Sequence, residues 1–142
     1  GGHCISVDPW FIASEFPEMT QLIQTARKVN LGKTSWVISQ ITQSAEMLAE
    51  QLGRKPKVAL FGLAYKPNIA DLRESPALHI ASKLHKEFNL VAVEPNIKQH
   101  EFIQLVDLTM GLKSDICVYL VSHKQFNANL IKADDLDFCG IN

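Results

Sequence analysis

The sequence predicts an α/β protein in which a long helical segment precedes a parallel-sheet domain. From residue 57 onwards, short apolar stretches alternate with amphipathic helical patterns, which is typical of parallel strands covered by helices. Before that point, apolar residues recur every three to four positions, which is the period of an α-helix. Arg54, Lys55 and Pro56 separate the two patterns, so we predict a division into residues 1–53 and 54–142.

In the first half, residues 1–16 are expected to form a loop and a turn. A helical pattern begins at Pro17, is interrupted at residues 30–32, and resumes over residues 36–52 before Gly53, a common helix stop. The pattern leaves open whether this is one long helix or two. Its apolar stripe has little to pack against within the first half, so we expect the following domain, a second copy of the chain, or both to bury it.

The second half is predicted to form a strand over 57–61, a helix over 76–87, a strand over 90–94, a helix over 98–109, a strand over 116–121, and the start of another strand in 137–142. Ser75 is a good helix N-cap, and Pro76 is favoured at the first helical position. Glu94 ends the second strand, where an acidic residue reaches a ribose in dinucleotide-binding folds. We expect His123, which follows the last of these strands, to belong to a structural turn.

The loop after the first strand carries Lys66, Asp71, Arg73 and Glu74. It lies at the carboxyl end of a strand, where open α/β sheets bind ligands. Two cations beside a helix N-terminus suit a phosphorylated ligand. An ordinary connection with solvated charges would have the same spacing, so the pattern alone leaves both interpretations open.

Composition narrows the classes of partner. With 14 basic and 15 acidic residues, the net charge of -1 favours neither nucleic acid nor a membrane surface. No apolar run approaches the ~20 residues of a membrane span, and no signal peptide is evident. Cys4, Cys117 and Cys139 are odd in number and irregularly spaced, which argues against a metal site or a disulfide framework. We therefore expect a protein of the reducing cytoplasm, with Cys117 buried in a strand.

Two segments resemble the UDP-glucose/GDP-mannose dehydrogenase family. Residues 61–76, with the sequence FGLAYKPNIADLRESP, are similar to the start of its UDP-binding domain, G-(L/F)-(A/S)-(F/Y)-K…D-x-R-x-S. Residues 1–11, with the sequence GGHCISVDPWF, resemble its catalytic-cysteine segment, G-G-x-C-x-x-x-D, and are most similar to the branch that oxidises UDP-N-acetyl-D-mannosamine. The two motifs occur in the family's order, and the resemblance covers nearly the whole chain.

The resemblance implies an NAD-dependent oxidation of the sugar C6 alcohol to a carboxylate in two hydride transfers. Cys4 would be the nucleophile that holds the substrate as a thiohemiacetal and then as a thioester. Asp8, one helical turn away, would orient or deprotonate a water, and Gly1 and Gly2 would contact the substrate. UDP-glucose enzymes of the family often carry Lys at the position of Val7, which argues against a glucose-type site.

In the second half, the resemblance implies that Tyr65 and Lys66 bind the uridine and pyrophosphate end of a UDP-sugar. Arg73 would face the NAD pyrophosphate, with Asp71 and Glu74 orienting it and bracing the loop.

The resemblance also implies a C-terminal part of a longer enzyme, because family members begin with an NAD-binding Rossmann domain and this chain has no GxGxxG. Residues 1–53 would be the catalytic-cysteine loop and the helical part of a central dimerisation domain, and residues 54–142 a Rossmann-like UDP-binding domain. NAD would be bound mainly by a domain absent from this chain, the chain alone would be inactive, and a homodimer would form through the long helical segment.

The alternative to this enzyme fragment is a non-catalytic nucleotide-binding or oligomerisation module. A thiol-redox protein is less favoured than either, because no resolving cysteine is suitably spaced.

Overall fold

A five-stranded parallel sheet organises the second half of the chain. The computed structural model describes residues 4–141. The strands are β1 (Lys57–Phe61), β2 (Asn89–Val93), β3 (Gln104–Leu105), β4 (Ile116–Tyr119) and β5 (Leu136–Asp137). Their order is β3-β2-β1-β4-β5, and every neighbouring pair is parallel. The predicted α/β class is therefore confirmed, and the strand order reverses between β1 and β4, where such sheets open a ligand crevice.

The helices are α1 (Cys4–Glu15), α2 (Gln21–Leu52), α3 (Pro76–Leu84) and α4 (Leu108–Gly111), with a 3₁₀ turn at Ala128–Leu130. The long segment is one helix, because α2 continues without a break through residues 30–32. A single Gly32 costs an exposed helix only about 1 kcal/mol, which a helix packed against a domain can absorb. α2 ends at Gly53, whose φ of 65° is left-handed.

The prediction of a loop over residues 1–16 was wrong for Cys4–Glu15, which form α1, and residues 1–3 lie outside the described residues. Pro9 lies inside this helix and removes one backbone donor, so the local sequence disfavours the helix. Contact with α2 and burial of Ala13 offset that cost. Tertiary packing, which a local pattern does not contain, therefore determines this element.

The predicted helix over 98–109 was also wrong. This stretch instead contains the two-residue strand β3, which pairs with β2, followed by the short helix α4. The backbone N–H of Val106 continues the ladder by donating to Ala92 O at 2.8 Å. Other boundaries differ by a few residues: α3 ends at Leu84, β2 spans Asn89–Val93, β4 ends at Tyr119, and the last strand precedes the predicted position. Helix and strand ends are the least determined part of a sequence pattern.

Apolar residues cover both faces of the sheet. Val58 and Leu60 of β1 face one core, which α2 and α3 cover with side chains that include Ile41 and Ile80. Ala59 and Phe61 face the opposite core, as alternation along a strand requires. Cys117 lies fully buried in this second core, as predicted.

The half of α2 nearest the sheet buries its apolar stripe, whereas the first half does not. Val37, Ile41 and Ala45 are buried, but Leu22 is 82% exposed and Val29 is 70% exposed. The following domain therefore covers part of the stripe. Among residues 4–141, no helix has both the length and the apolar character needed to cross a bilayer.

Candidate functional site

The candidate site is built on the loop of residues 62–75, which leaves the carboxyl end of β1. Gly62 turns the chain there with a φ of 88°, and its N–H donates to Val93 O at 2.9 Å. A Cβ on Gly62 would lie 2.5 Å from the Cβ of Val121, so only glycine fits this close approach. The loop therefore starts at the point where β1, β2 and the chain after β4 meet.

Ser75, at the end of the loop, is hydrogen-bonded to the start of the same loop. Its hydroxyl donates to Leu63 O at 2.7 Å and accepts from the N–H of Leu78 at 3.3 Å. The predicted N-cap at Ser75, with Pro76 in the first helical turn, is confirmed. Because one buried hydroxyl joins the start of the loop to the start of α3, both ends of the loop are fixed.

Tyr65 connects this loop to α1. Its N–H donates to Asp71 O at 2.8 Å, across the loop. Its half-buried side chain reaches α1, where the hydroxyl lies 3.4 Å from Ser6 Oγ. Lys66, the next residue, is exposed. The loop thus presents an aromatic ring beside α1 and a cation towards solvent.

Asp71 holds Arg73 in the expected way. Arg73 Nε donates to Asp71 Oδ1 at 2.9 Å and Nη2 donates to Oδ2 at 2.7 Å, which is a bidentate pair. The hydrogen bond that Arg73 donates to Asp71 is the main reason that the pKa of Arg73 is raised, and the negative charge of Asp71 adds to it. Arg73 remains 69% exposed. Its guanidinium is therefore oriented and still accessible. Glu74, expected to help orient it, is exposed and has a φ of 54°.

Cys4 and Asp8 both lie on α1, at a spacing that puts them on the same face of the helix. Both are exposed. Gly1 and Gly2 lie outside the described residues. The structure thus brings the helix that begins at Cys4 to the loop that carries Tyr65 and Arg73. Lys66 and Asp8 belong to the same two elements, and both side chains are exposed.

A cleft of about 680 Å³ separates α1 and α2 from the loop and α3. That volume suits a small-molecule ligand. Its lining includes Ser6, Arg27, Tyr65, Glu74 and His79. Arg27 was not predicted as a site residue, and its Nε atom is buried without a hydrogen-bond partner among the described residues. Of the substrate, cofactor and catalytic residues predicted within 4–141, Tyr65 lines the cleft, whereas Cys4, Asp8, Lys66 and Arg73 do not.

A buried carboxylate lies beneath the loop, and its contacts were missed from the sequence. Glu94 follows β2, and its Oε2 accepts from Leu63 N at 2.8 Å, from Ala64 N at 3.1 Å and from His123 Nε2 at 3.0 Å. Its Oε1 accepts from the backbone N and from Nδ2 of Asn96, both at 3.0 Å. The side chains of Glu94 and His123 are fully buried. The Glu94 carboxylate therefore binds the backbone of the loop after β1 and is not directed at a ribose.

Burial would raise the pKa of Glu94, but hydrogen bonds from His123, Leu63 and Asn96 outweigh that effect and lower the pKa to about 2. The carboxylate is therefore ionised at neutral pH. The sequence does contain one signal for this cluster, because Glu94 and His123 each follow an apolar stretch that is predicted to be a strand. The strand order β2-β1-β4, which the structure adds, brings both residues beside the loop after β1.

The other two cysteines are unlike Cys4. Burial raises the pKa of both Cys117 and Cys139 to about 12, so they stay protonated and are poor nucleophiles at neutral pH. Within residues 4–141, no cluster of three His, Cys, Asp or Glu side chains is placed to hold a metal ion. Cys4 is the exposed thiol of the described chain.

These features define a parallel α/β ligand-binding domain with a cysteine-bearing helix beside the loop after its first strand. The UDP-binding domain of the UDP-glucose/GDP-mannose dehydrogenase family matches residues 59–136, more than half of the chain. The chain therefore belongs to this family, which confirms the resemblance found in the sequence.

Relatives with assigned names support the same conclusion. The chain is 45% identical to UDP-N-acetyl-D-mannosamine dehydrogenase of Yersinia pestis over 148 aligned residues, covering 96% of this chain and 34% of that protein. It is 47% identical to the Escherichia coli K12 protein of the same name over 138 residues, covering 89% of this chain and 33% of that protein. The chain thus spans about a third of the length of these curated relatives.

Solved structures show the same fold. The native UDP-N-acetyl-mannosamine dehydrogenase of Staphylococcus aureus has a TM-score of 0.69 and 28% identity, covering 100% of this chain and 37% of that one. GDP-mannose dehydrogenase of Pseudomonas aeruginosa has a TM-score of 0.77 at 21% identity, and the match covers 99% of this chain and 36% of that one. The second likeness concerns the fold alone.

Proposed function

We propose that this chain is the C-terminal part of an NAD-dependent nucleotide-sugar 6-dehydrogenase that oxidises UDP-N-acetyl-D-mannosamine to UDP-N-acetyl-D-mannosaminuronate. The observation that carries the proposal is the position of α1, whose Ser6 lies 3.4 Å from the Tyr65 hydroxyl. This helix starts at the exposed thiol of Cys4, so the nucleophile and the loop after β1 adjoin each other. The family match and the names of the relatives support the substrate class.

The proposal divides the chain by role. Residues 1–53 contribute the cysteine and the helical part of a central domain, and residues 54–142 form the UDP-binding domain. Tyr65 contacts the uridine end, and Lys66 pairs with the pyrophosphate through its exposed ammonium group. Both residues leave the carboxyl end of β1, where open parallel sheets bind nucleotides.

Cys4 and Asp8 carry the chemistry of the proposal. NAD, when bound, would supply the hydride acceptor for both oxidations at C6, one cofactor molecule for each hydride, and the first oxidation would also release the proton of the alcohol. The Cys4 sulfur adds to the C6 aldehyde while the thiol proton passes to the carbonyl oxygen, which gives a thiohemiacetal; loss of the second hydride and of that hydroxyl proton leaves a thioester on the same sulfur. Asp8 takes a proton from the water that attacks the thioester, which releases the carboxylate and restores Cys4.

Arg73 is the residue of this chain that we assign to the NAD pyrophosphate. Its guanidinium is 69% exposed and is held in a fixed orientation by Asp71, so a diphosphate can approach it. Most of the cofactor contacts are assigned to a domain outside this chain. The chain alone should therefore produce no NADH with any UDP-sugar.

We also propose that the active form is a homodimer joined through α1 and α2. Large apolar side chains are exposed on and between these helices, including Phe11, Phe16, Met19, Leu22 and Val29. Large apolar side chains exposed in such number on two neighbouring helices are typical of an interaction site. The alternative, an oligomerisation module without catalysis, uses the same surface but gives Cys4 no role.

Oxidation assays on the full-length protein test the proposal. With NAD and UDP-N-acetyl-D-mannosamine, uronate should form with two NADH per sugar. UDP-glucose should be a poor substrate.

A binding measurement tests the role of Lys66. Lys66→Ala should weaken UDP binding about tenfold or more, because a charge-assisted contact is lost, whereas the exposed control Lys86→Ala should leave UDP binding unchanged. NADH formation by the 142-residue chain alone would contradict the assignment of NAD to another domain.

A further inference from the structure

The Glu94 carboxylate has an environment that only an ionised acid satisfies. The carboxylate is the acceptor in all five of its hydrogen bonds. The donors are the backbone N–H groups of Leu63, Ala64 and Asn96, the Asn96 side-chain amide, and the His123 ring. A glutamine here would turn its own amide hydrogens towards some of these donors. Because the site is fully buried, no solvent would compensate the mismatch.

His123 extends the same network to the far side of the loop. Its Nδ1 accepts from the N–H of Asn68 at 2.9 Å, so the proton resides on Nε2 and is donated to Glu94. Asn68 has a φ of 63°, and its Oδ1 accepts from the N–H of Lys124 at 2.9 Å. Glu94 therefore holds the loop backbone before residues 65–67, and His123 holds it after them.

Little else holds this part of the loop. Residues 66–70 are exposed, so packing contributes little to their position. Tyr65 is half-buried and bonded across the loop to Asp71. The backbone contacts to Glu94 and His123 thus fix the direction in which Tyr65 and Lys66 project.

We propose that Glu94 and His123 are positioning residues, which hold the backbone between their two contact points so that Tyr65 and Lys66 meet the uridine diphosphate group. The inference rests on the proposed function, because it assigns that group to this loop. It adds two residues that touch neither substrate nor cofactor. Their effect is confined to affinity for the nucleotide end of the substrate.

The test uses the full-length protein and three variants. Glu94→Gln should raise the KM for the UDP-sugar and the inhibition constant of UDP about tenfold or more, because a misplaced loop loses its contacts. The KM for NAD should change less than about twofold, since the Asp71–Arg73 pair lies outside the segment between the two contact points and most cofactor contacts are assigned to another domain. Glu94→Asp keeps the charge and should recover most of the affinity. The exposed control Glu101→Gln should match the wild type.

A fourth variant keeps the test valid if Glu94→Gln does not fold. His123→Leu keeps a side chain of similar size in the buried position and leaves the N–H groups of Leu63 and Ala64 bonded to Glu94, so it should fold; it removes the ring nitrogen that accepts from the N–H of Asn68 and should raise the UDP-sugar KM by about threefold or more. A wild-type KM in a folded Glu94→Gln, or in His123→Leu where Glu94→Gln does not fold, overturns the positioning role and leaves the proposed function intact. Equal losses for NAD and UDP-sugar also overturn it. Absence of UDP binding in the wild type overturns the proposed function itself.

Discussion

Replacing Gly62 by alanine should destabilise the domain strongly, because two separate penalties add at this residue. A φ of 88° costs an L-residue about 1–2 kcal/mol. The new Cβ would lie 2.5 Å from Val121 Cβ and 2.8 Å from Val121 O, so the chain after β4 must move. Overpacking of this kind costs about 1–3 kcal/mol, which gives a total of roughly 2–5 kcal/mol.

Gly53→Ala is the matched control for this prediction. Its φ of 65° is also left-handed, but its Cβ would meet nothing within 4 Å, so it should lose only about 1–2 kcal/mol. Urea unfolding of the chain, followed by far-ultraviolet circular dichroism, measures both losses. Equal destabilisation by the two variants would refute the close approach between Gly62 and Val121.

Three further predictions concern other parts of the chain. Ser75→Ala should lower the free energy of unfolding by about 1–2 kcal/mol, because the helix cap is lost and Leu63 O loses its donor; an unchanged urea midpoint would contradict this. The pKa of Glu94, about 2 against its usual 4.5, means that its ionised form stabilises the fold fully above pH 4.5 and that this contribution is lost as the pH falls towards 2. Urea midpoints measured across that range should therefore fall more steeply for the wild type than for Glu94→Gln, and parallel profiles would count against the buried carboxylate. Leu22→Asp combined with Val29→Asp should convert a dimer to a monomer in sedimentation, and a wild type that is monomeric at high micromolar concentration would exclude the proposed interface.

The sequence was most informative where local signals coincide. β1 was predicted with its observed bounds because an apolar run lies between Pro56 and Gly62. The start of α3 followed from Ser75 and Pro76, whose side chains favour a helix start through local chemistry. The parallel arrangement followed from the alternation of elements, which reflects how helices must cover both faces of a sheet.

The errors lie where the structure depends on distant residues. α1 contains Pro9 and exists beside α2, and no local pattern contains that contact. β3 is two residues long and is defined by pairing with β2 rather than by its own propensity. The Glu94–His123 contact joins residues 29 positions apart that meet only after the sheet has formed. A sequence pattern contains the residue types of such a cluster but not their proximity.

Uronate formation by the full-length Cys4→Ala variant is the decisive measurement for the proposed function. The wild type should release uronate with two NADH per sugar, and Cys4→Ala should release none, because no thioester can form. Cys4→Ser should slow the second oxidation, since an oxygen ester replaces the thioester. Near-wild-type uronate formation by Cys4→Ala would contradict the role assigned to this cysteine and, with it, the function proposed for the chain.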